Sequence, residues 1–159
     1  HQEVSQFTYL KGIWKIEDGV LSGSTSDFGE AYTGSHDWKD YAFEATLIPQ
    51  IGDCHNINFR VQGAIRSYAV GLAPDNKLVL SKNANGYKKL MEISFPWECG
   101  DEYTFKVEAV GPQIKVYNGG KLLMDYVDND NPYLTGQVGA SIRKGSHCHY
   151  KNFEIKGIE

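Results

Sequence analysis

Apolar and polar residues alternate with a period of two along most of this chain, in runs of about five to nine residues. The clearest run is 103–110, where an apolar residue stands at every odd position and a polar residue at positions 104, 106 and 108. This alternation is typical of a β-strand with one buried face. No stretch of a dozen residues has the spacing of an amphipathic helix, so the pattern predicts strands throughout.

Turn-forming residues separate these runs at short intervals. Asn118-Gly119 lies between the runs 114–117 and 121–124, and this dipeptide is typical of a tight β-hairpin. Further strands are predicted at 42–48, 57–61, 68–72, 78–81, 138–142 and 150–155. So many short strands in one domain predict an all-β fold, a two-sheet antiparallel jelly-roll sandwich.

Length and charge narrow the classes of protein and of partner. With 159 residues the chain has the size of one domain, and we expect 1–159 to form a single β-sandwich domain. Because it starts at His1 rather than Met, we expect it to be part of a larger protein. The net charge of −4 argues against a nucleic-acid partner, and the lack of an apolar run of roughly 20 residues argues against a membrane partner.

A candidate binding face lies on the run 56–62, which reads N-I-N-F-R-V-Q. Its apolar side is Ile57, Phe59 and Val61, and its polar side is Asn56, Asn58, Arg60 and Gln62. Amides and a guanidinium form hydrogen bonds in fixed planes, as the vicinal hydroxyls of a sugar require. We expect the Arg60 guanidinium to point outward from this face. The alternative is an ordinary solvated sheet face in which Arg60 pairs with a carboxylate.

Other candidates have two interpretations each. Arg66 and Tyr68 lie on the next strand, and Tyr68 either stacks under a sugar ring or packs in the core. Glu30 either shares a sugar hydroxyl with Arg60 or is a surface charge. Trp38, in a loop before a strand, is either a platform for a sugar or a half-buried plug at the end of the sandwich.

Catalytic and metal motifs are absent from the sequence. No strand carries the paired carboxylates that glycoside hydrolysis needs, and there is no G-x-S-x-G, H-E-x-x-H or phosphate-binding loop. We therefore expect neither an enzyme nor a cofactor. His147, His149 and Cys54-His55 lack the spacing of a zinc site, so we expect no metal. The cysteines, Cys54, Cys99 and Cys148, are odd in number, and we expect reduced thiols, with one disulfide and a leftover thiol as the alternative.

Four segments resemble a known group of domains. They are G-I-W-K-I-E-D-G-V-L-S-G at 12–23, D-W-K-D-Y-A-F-E-A at 37–45, N-F-R at 58–60 with S-Y-A-V at 67–70, and G-Q-V-G at 136–139 with Y-K-N-F-E-I at 150–155. Together they resemble the concanavalin A-like, laminin-G-like domains of bacteria. The resemblance spans nearly the whole chain, and it implies the same jelly-roll fold.

Within that group the chain is most similar to two kinds of domain. One is the fructan-binding carbohydrate-binding module, whose site uses an early acidic residue, the Arg of F-R and a late Trp-Asp pair. Glu30 and Arg60 fall at the first two positions, whereas Arg143-Lys144 stands in place of Trp-Asp. The other is the C-terminal accessory domain of ADP-ribosylglycohydrolase-like proteins, and the segments most similar to it are 37–41, 60–63 with Arg66 and Tyr68, and 95–98.

The pattern and the resemblance together predict a non-catalytic, lectin-like carbohydrate-binding module. Its hydroxyl-rich ligand is expected to contact Glu30, Asn58, Arg60, Arg66, Tyr68 and Arg143. A catalytic domain in the same polypeptide is the further partner that the resemblance implies. Two alternatives stay open: an accessory interaction domain of a larger hydrolase without a sugar site, and a small glycoside hydrolase of the keto-disaccharide type.

Overall fold

A computed structural model describes residues 8–17, 19–25 and 28–158 of the chain. Asp18, inside the segment 12–23, lies outside the described residues. All regular secondary structure in the described part is β-strand. The strands are β1 (Thr8–Lys11), β2 (Ile13–Glu17), β3 (Val20–Ser24), β4 (Phe28–Thr33), β5 (Tyr41–Ile51), β6 (His55–Gly63), β7 (Arg66–Ala73), β8 (Lys77–Ala84), β9 (Tyr87–Ser94), β10 (Tyr103–Val110), β11 (Gln113–Asn118), β12 (Lys121–Val127), β13 (Gln137–Arg143) and β14 (His147–Gly157).

The strands form two seven-stranded antiparallel sheets. Sheet I has the order β1-β4-β13-β6-β7-β8-β9, and sheet II the order β12-β11-β10-β5-β14-β3-β2. Strands far apart in sequence are neighbours, since β13 pairs with both β4 and β6 and β14 pairs with both β3 and β5. This is the jelly-roll sandwich that the alternation predicts, and the fold prediction is confirmed.

The core lies between the inner faces of the two sheets. Phe43 and Phe105 from sheet II and Phe59 and Leu72 from sheet I are all 0% exposed. Each follows from the alternation of its strand, and burying such a side chain stabilises the fold by about 1.5–3 kcal/mol. The outer face of each sheet and the open edges of the sandwich are therefore the parts that a ligand can reach.

One edge of the sandwich is open. The last strand of sheet I is β9, the first strand of sheet II is β12, and the two lie near each other without pairing. The loop that follows β12 partly covers the space between them and contributes Asp128 and Tyr133, which are 2% and 3% exposed. This edge and the outer face of sheet I both carry groups of polar side chains.

Candidate functional site

The outer face of sheet I holds a group of hydrogen-bonded polar side chains, called here the polar cluster. The cluster comprises Glu30, Tyr32, Asn58, Ser67, Tyr87 and Ser141, from strands β4, β6, β7, β9 and β13. All of them except Tyr87 are at most 2% exposed. They face away from the core because they alternate with the buried residues of the same strands.

Asn58 is at the centre of the cluster. Its Oδ1 accepts a hydrogen bond of 2.7 Å from the Ser141 hydroxyl. Its Nδ2 donates to Ser67 Oγ at 3.3 Å and to Tyr87 Oη at 3.2 Å. A buried amide with both ends bonded is held in one orientation, so Asn58 fixes the position of the Tyr87 hydroxyl.

Tyr87 also shows how strongly sheet I curves. In a flat sheet β9 and β13 would be roughly 19 Å apart, four strand spacings of about 4.8 Å each. Tyr87 Oη nevertheless lies only 3.5 Å from Ser141 Oγ of β13. The sheet is therefore concave on this side, and the Tyr87 ring lies across its middle.

Small residues permit this close packing over the sheet. A Cβ atom at Gly139 would lie 2.7 Å from the Tyr32 ring, and one at Gly71 would lie 1.9 Å from Asn56 Oδ1. Glycine at these two positions lets the neighbouring polar side chains lie flat on the concave face. The shape of the concave face therefore depends on glycines as well as on its polar side chains.

Glu30 and Tyr32 form a buried pair at one side of the cluster. The Tyr32 hydroxyl donates a hydrogen bond to Glu30 Oε1. Burial, the neighbouring Tyr87 and the Glu30 carboxylate all raise the pKa of Tyr32 above its ordinary value. The phenol therefore stays protonated and remains a donor, so Glu30 is held as an acceptor beneath the surface.

The accessible part of the concave face is formed by Arg143 and the Tyr87 ring. The guanidinium carbon of Arg143 lies 5.1 Å from the centre of that ring, and Phe28 packs edge-on against the same ring at 6.3 Å. All three side chains are half-buried. Within the described part of the chain the Arg143 side chain makes no hydrogen bond and no ion pair.

Arg60 does not lie on this face, contrary to the sequence prediction of an outward guanidinium. It is 1% exposed and points into the protein. Its Nε donates to the carbonyl of Lys39 at 2.9 Å, and its Nη1 donates to the carbonyls of Gly111 and Tyr133 at 2.9 and 2.7 Å. Its Nη2 forms an ion pair of 3.3 Å with Asp40. Arg60 therefore connects its own strand to three other segments of the chain.

A local change of backbone conformation explains this orientation. Arg60 has a φ of 49°, in the left-handed region that few residues other than glycine adopt. The pairing of β6 with β7 shifts register between Phe59 and Gly63. The alternation that places Asn58 outside therefore stops at Phe59, and Arg60 turns inward.

Tyr68 and Arg66 lie at the open edge of the sandwich. Tyr68 is 1% exposed, faces the core, and donates a hydrogen bond of 2.6 Å to Asp128. Arg66 is exposed and its guanidinium carbon lies 4.7 Å from the centre of the Tyr133 ring. The structure thus brings Glu30, Asn58 and Arg143 together and separates them from Arg60, Arg66 and Tyr68.

The other residues singled out in the sequence, namely Trp38, the histidines and the cysteines, lie outside the polar cluster. Trp38 is half-buried and lies edge-on against Tyr41 at 6.3 Å. His147 and His149 share one face of β14 with ring centres 5.2 Å apart, but the described residues contain no group of three metal-ligating side chains. Cys54, Cys99 and Cys148 are free thiols. No helix in the described part is long and apolar enough to cross a membrane.

Four members of the polar cluster were not predicted from the sequence: Tyr32, Ser67, Tyr87 and Ser141. Tyr32 and Ser141 stand in strands with many small residues, where alternation is weak. Tyr87 follows Asn85-Gly86, a tight-turn signal that marks the start of a strand. That signal indicates a strand at Tyr87 but does not reveal that its ring crosses the sheet.

Comparison with known proteins identifies the fold. The sequence matches no family model and no curated protein. Among solved structures, a carbohydrate-binding module, CBM66, from Bacillus subtilis is similar with a TM-score of 0.85 and 20% identity, over 95% of each chain. The exoplasmic/lumenal domain of VIP36, in a Ca²⁺- and Man3GlcNAc-bound form, has a TM-score of 0.73 and 12% identity, over 96% of this chain and 84% of that one.

A third similar structure is named as a candidate glycosyl hydrolase from Parabacteroides distasonis. Its TM-score is 0.67 with 14% identity, over 94% of this chain and 84% of that one. Identities this low establish architecture alone. The chain has the concanavalin A-like jelly-roll fold that lectins and carbohydrate-binding modules share.

Proposed function

We propose that this chain is a non-catalytic carbohydrate-binding module that binds a hydroxyl-rich glycan on the concave face of sheet I. One observation carries the proposal: the half-exposed pair of Tyr87 and Arg143 lies over the buried members of the polar cluster, and Asn58 among them holds the Tyr87 hydroxyl in place. An aromatic ring held in place and a planar fork of donors stacked over it are the groups that sugars need.

Each residue has a distinct part in the proposed site. The Tyr87 ring offers an apolar surface to the C–H face of a sugar, and Arg143 donates to two adjacent hydroxyls. Asn56, half-buried on the same face, adds an amide at the side. Glu30 and Asn58 are buried, so they act as positioning residues below the ligand rather than as direct contacts.

Binding without catalysis fits the chemistry of the cluster better than hydrolysis does. A glycosidase needs two carboxylates on either side of the scissile bond. The polar cluster, as far as the chain is described, contains one carboxylate, Glu30, and the Tyr32 hydroxyl donates to it. Such a module would bring a catalytic domain of the same polypeptide to its glycan substrate. In this proposal residues 1–159 form one independent domain.

A glycan array with the purified chain tests the proposal. We expect binding to a restricted group of neutral glycans, and no release of reducing sugar when the bound glycans are incubated with the chain. Failure to bind any glycan would favour the alternative of an accessory interaction domain. Sustained hydrolysis that Glu30→Gln abolishes would favour the small glycoside hydrolase.

A further inference from the structure

The open edge of the sandwich contains a second polar depression, called here the edge groove. It has a volume of about 260 Å³ and lies between the inner side of β8 and β9 and the loop after β12. That volume is just below the range of about 300–1,000 Å³ typical of sites for drug-sized ligands. One sugar unit is therefore an occupant of suitable size.

The floor of the groove is rigid and electrically balanced. Lys82 Nζ donates to Asp128 Oδ2 at 2.7 Å and also to the carbonyl of Asn131 at 3.0 Å. Asp128 additionally accepts a hydrogen bond from Tyr68 and one from the backbone N–H of Asp130. Lys82 and Asp128 therefore satisfy each other, and neither is available to a ligand.

The walls of the groove carry cations that have no such partner. Arg66 lies on the Tyr133 ring at 4.7 Å, and its Nε donates to Gln62 at 3.2 Å. Its two Nη groups, like Lys88 Nζ, make no hydrogen bond or ion pair with the described residues. Against these two cations the groove has one unpaired carboxylate, that of Asp130. The walls are therefore positive although the chain as a whole carries −4.

We infer that the edge groove is a second binding site, for a sugar that carries a carboxylate. The two Nη groups of Arg66 form a planar fork that matches a carboxylate, and stacking on Tyr133 holds that fork in place. Lys88 supplies a second positive charge at the mouth, while Leu90 and Tyr126 offer apolar surface to the sugar ring. The inference takes from the proposed function only that the ligand is a carbohydrate. The edge groove itself is a different surface from the concave face of sheet I.

The test is an NMR titration of the intact chain with methyl β-D-glucuronide and its neutral counterpart, methyl β-D-glucoside. We expect the glucuronide to perturb resonances of β8, β9 and the loop after β12, and its affinity to fall as salt rises. Arg66→Gln and Lys88→Gln should each weaken it by about tenfold to a hundredfold. Both residues are exposed, so the variants are expected to fold. Lys121→Gln removes an exposed charge elsewhere and should leave the affinity unchanged.

Three results would overturn the inference. The first is equal binding of the glucoside at the groove, and the second is equal binding of N-acetylglycine, a monocarboxylate without a sugar. The third is loss of glucuronide binding in Tyr87→Leu but not in Arg66→Gln, which would place the acidic sugar on the concave face. That third result would contradict the edge groove as a site but would leave the proposed function intact. Conversely, if the chain bound no neutral glycan on the array but bound the glucuronide in the edge groove, the proposed function alone would be overturned.

Discussion

At the scale of single residues, Arg60 is a structural anchor rather than a ligand contact. Its guanidinium donates to three backbone carbonyls and pairs with Asp40 while being 1% exposed. Arg60→Ala would leave buried carbonyls without a partner, so we expect it to lower the free energy of unfolding by about 3 kcal/mol. Urea denaturation measures this loss.

Arg66→Ala is the matched control, because Arg66 is an exposed arginine six positions away. Its unfolding free energy should stay within about 0.5 kcal/mol of the wild type. If Arg60→Ala left stability unchanged and instead abolished glycan binding, the structural role assigned to Arg60 would be refuted and the sequence expectation restored.

His55 makes the stability of the fold depend on pH. It is 0% exposed, its Nε2 lies 2.8 Å from the carbonyl of Gly52, and its Nδ1 has no partner among the described residues. Burial lowers the pKa of His55 below its ordinary value. The unfolded chain therefore binds a proton at His55 more readily than the folded protein does, and stability should fall as pH drops below about 6.5.

Urea denaturation between pH 7.5 and 5 measures this dependence. We expect His55→Phe, which keeps an aromatic ring against Trp97, to show a smaller loss on acidification than the wild type. His36→Gln changes an exposed histidine and should keep the wild-type dependence. Identical pH profiles for wild type and His55→Phe would show that His55 is not the source.

Arg60 also shows where residue-level prediction from the sequence fails. The alternation N-I-N-F-R-V-Q describes a regular strand, and it correctly places Asn58 opposite Ile57 and Phe59. A positive φ at a single residue interrupts this alternation, and arginine has no intrinsic preference for that conformation. The conformation is maintained by tertiary contacts such as the hydrogen bond from Arg60 N to Tyr41 Oη, which the sequence does not reveal.

At the scale of strands, prediction succeeds where one face is buried and the pairing is regular. The run 103–110 coincides with β10. By contrast, β9 was not predicted, because its pairing with β8 shifts register between Leu80 and Ser81. The shift leaves Leu90 and Met91 adjacent in β9, which hides the period of two.

The concave face depends on glycines within strands. At Gly139 an added Cβ would lie 2.1 Å from the backbone oxygen of Ala31 in the neighbouring strand. We expect Gly139→Ala to cost about 1–3 kcal/mol of unfolding free energy, since backbone must move to accept the methyl group. Thermal or urea denaturation measures the change.

Gly63 provides the comparison for this substitution. It also lies in a strand of sheet I, but an added Cβ there would meet nothing within 4 Å. Gly63→Ala should therefore be nearly neutral. Equal stability of the two variants would contradict the account of how the sheet is packed.

At the scale of the whole molecule, the sequence predicts architecture far better than ligand. Alternation and turn residues are repeated in every strand, so errors at single strands do not change the fold. The proposed binding surface has no such redundancy. It depends on the curvature that brings Tyr87 of β9 to Asn58 of β6, and curvature is a property of the assembled sheet.

Affinity for a glycan in a pair of matched tyrosine variants tests the central claim most directly. On the concave face Arg143 lies over Tyr87 at 5.1 Å, and on the outer face of sheet II Lys106 lies over Tyr117 at 4.9 Å. For a neutral glycan selected on the array, we expect Tyr87→Leu to weaken binding roughly tenfold. Tyr117→Leu should bind like the wild type. Equal affinities for the two variants would contradict the placement of the carbohydrate site on the concave face of sheet I.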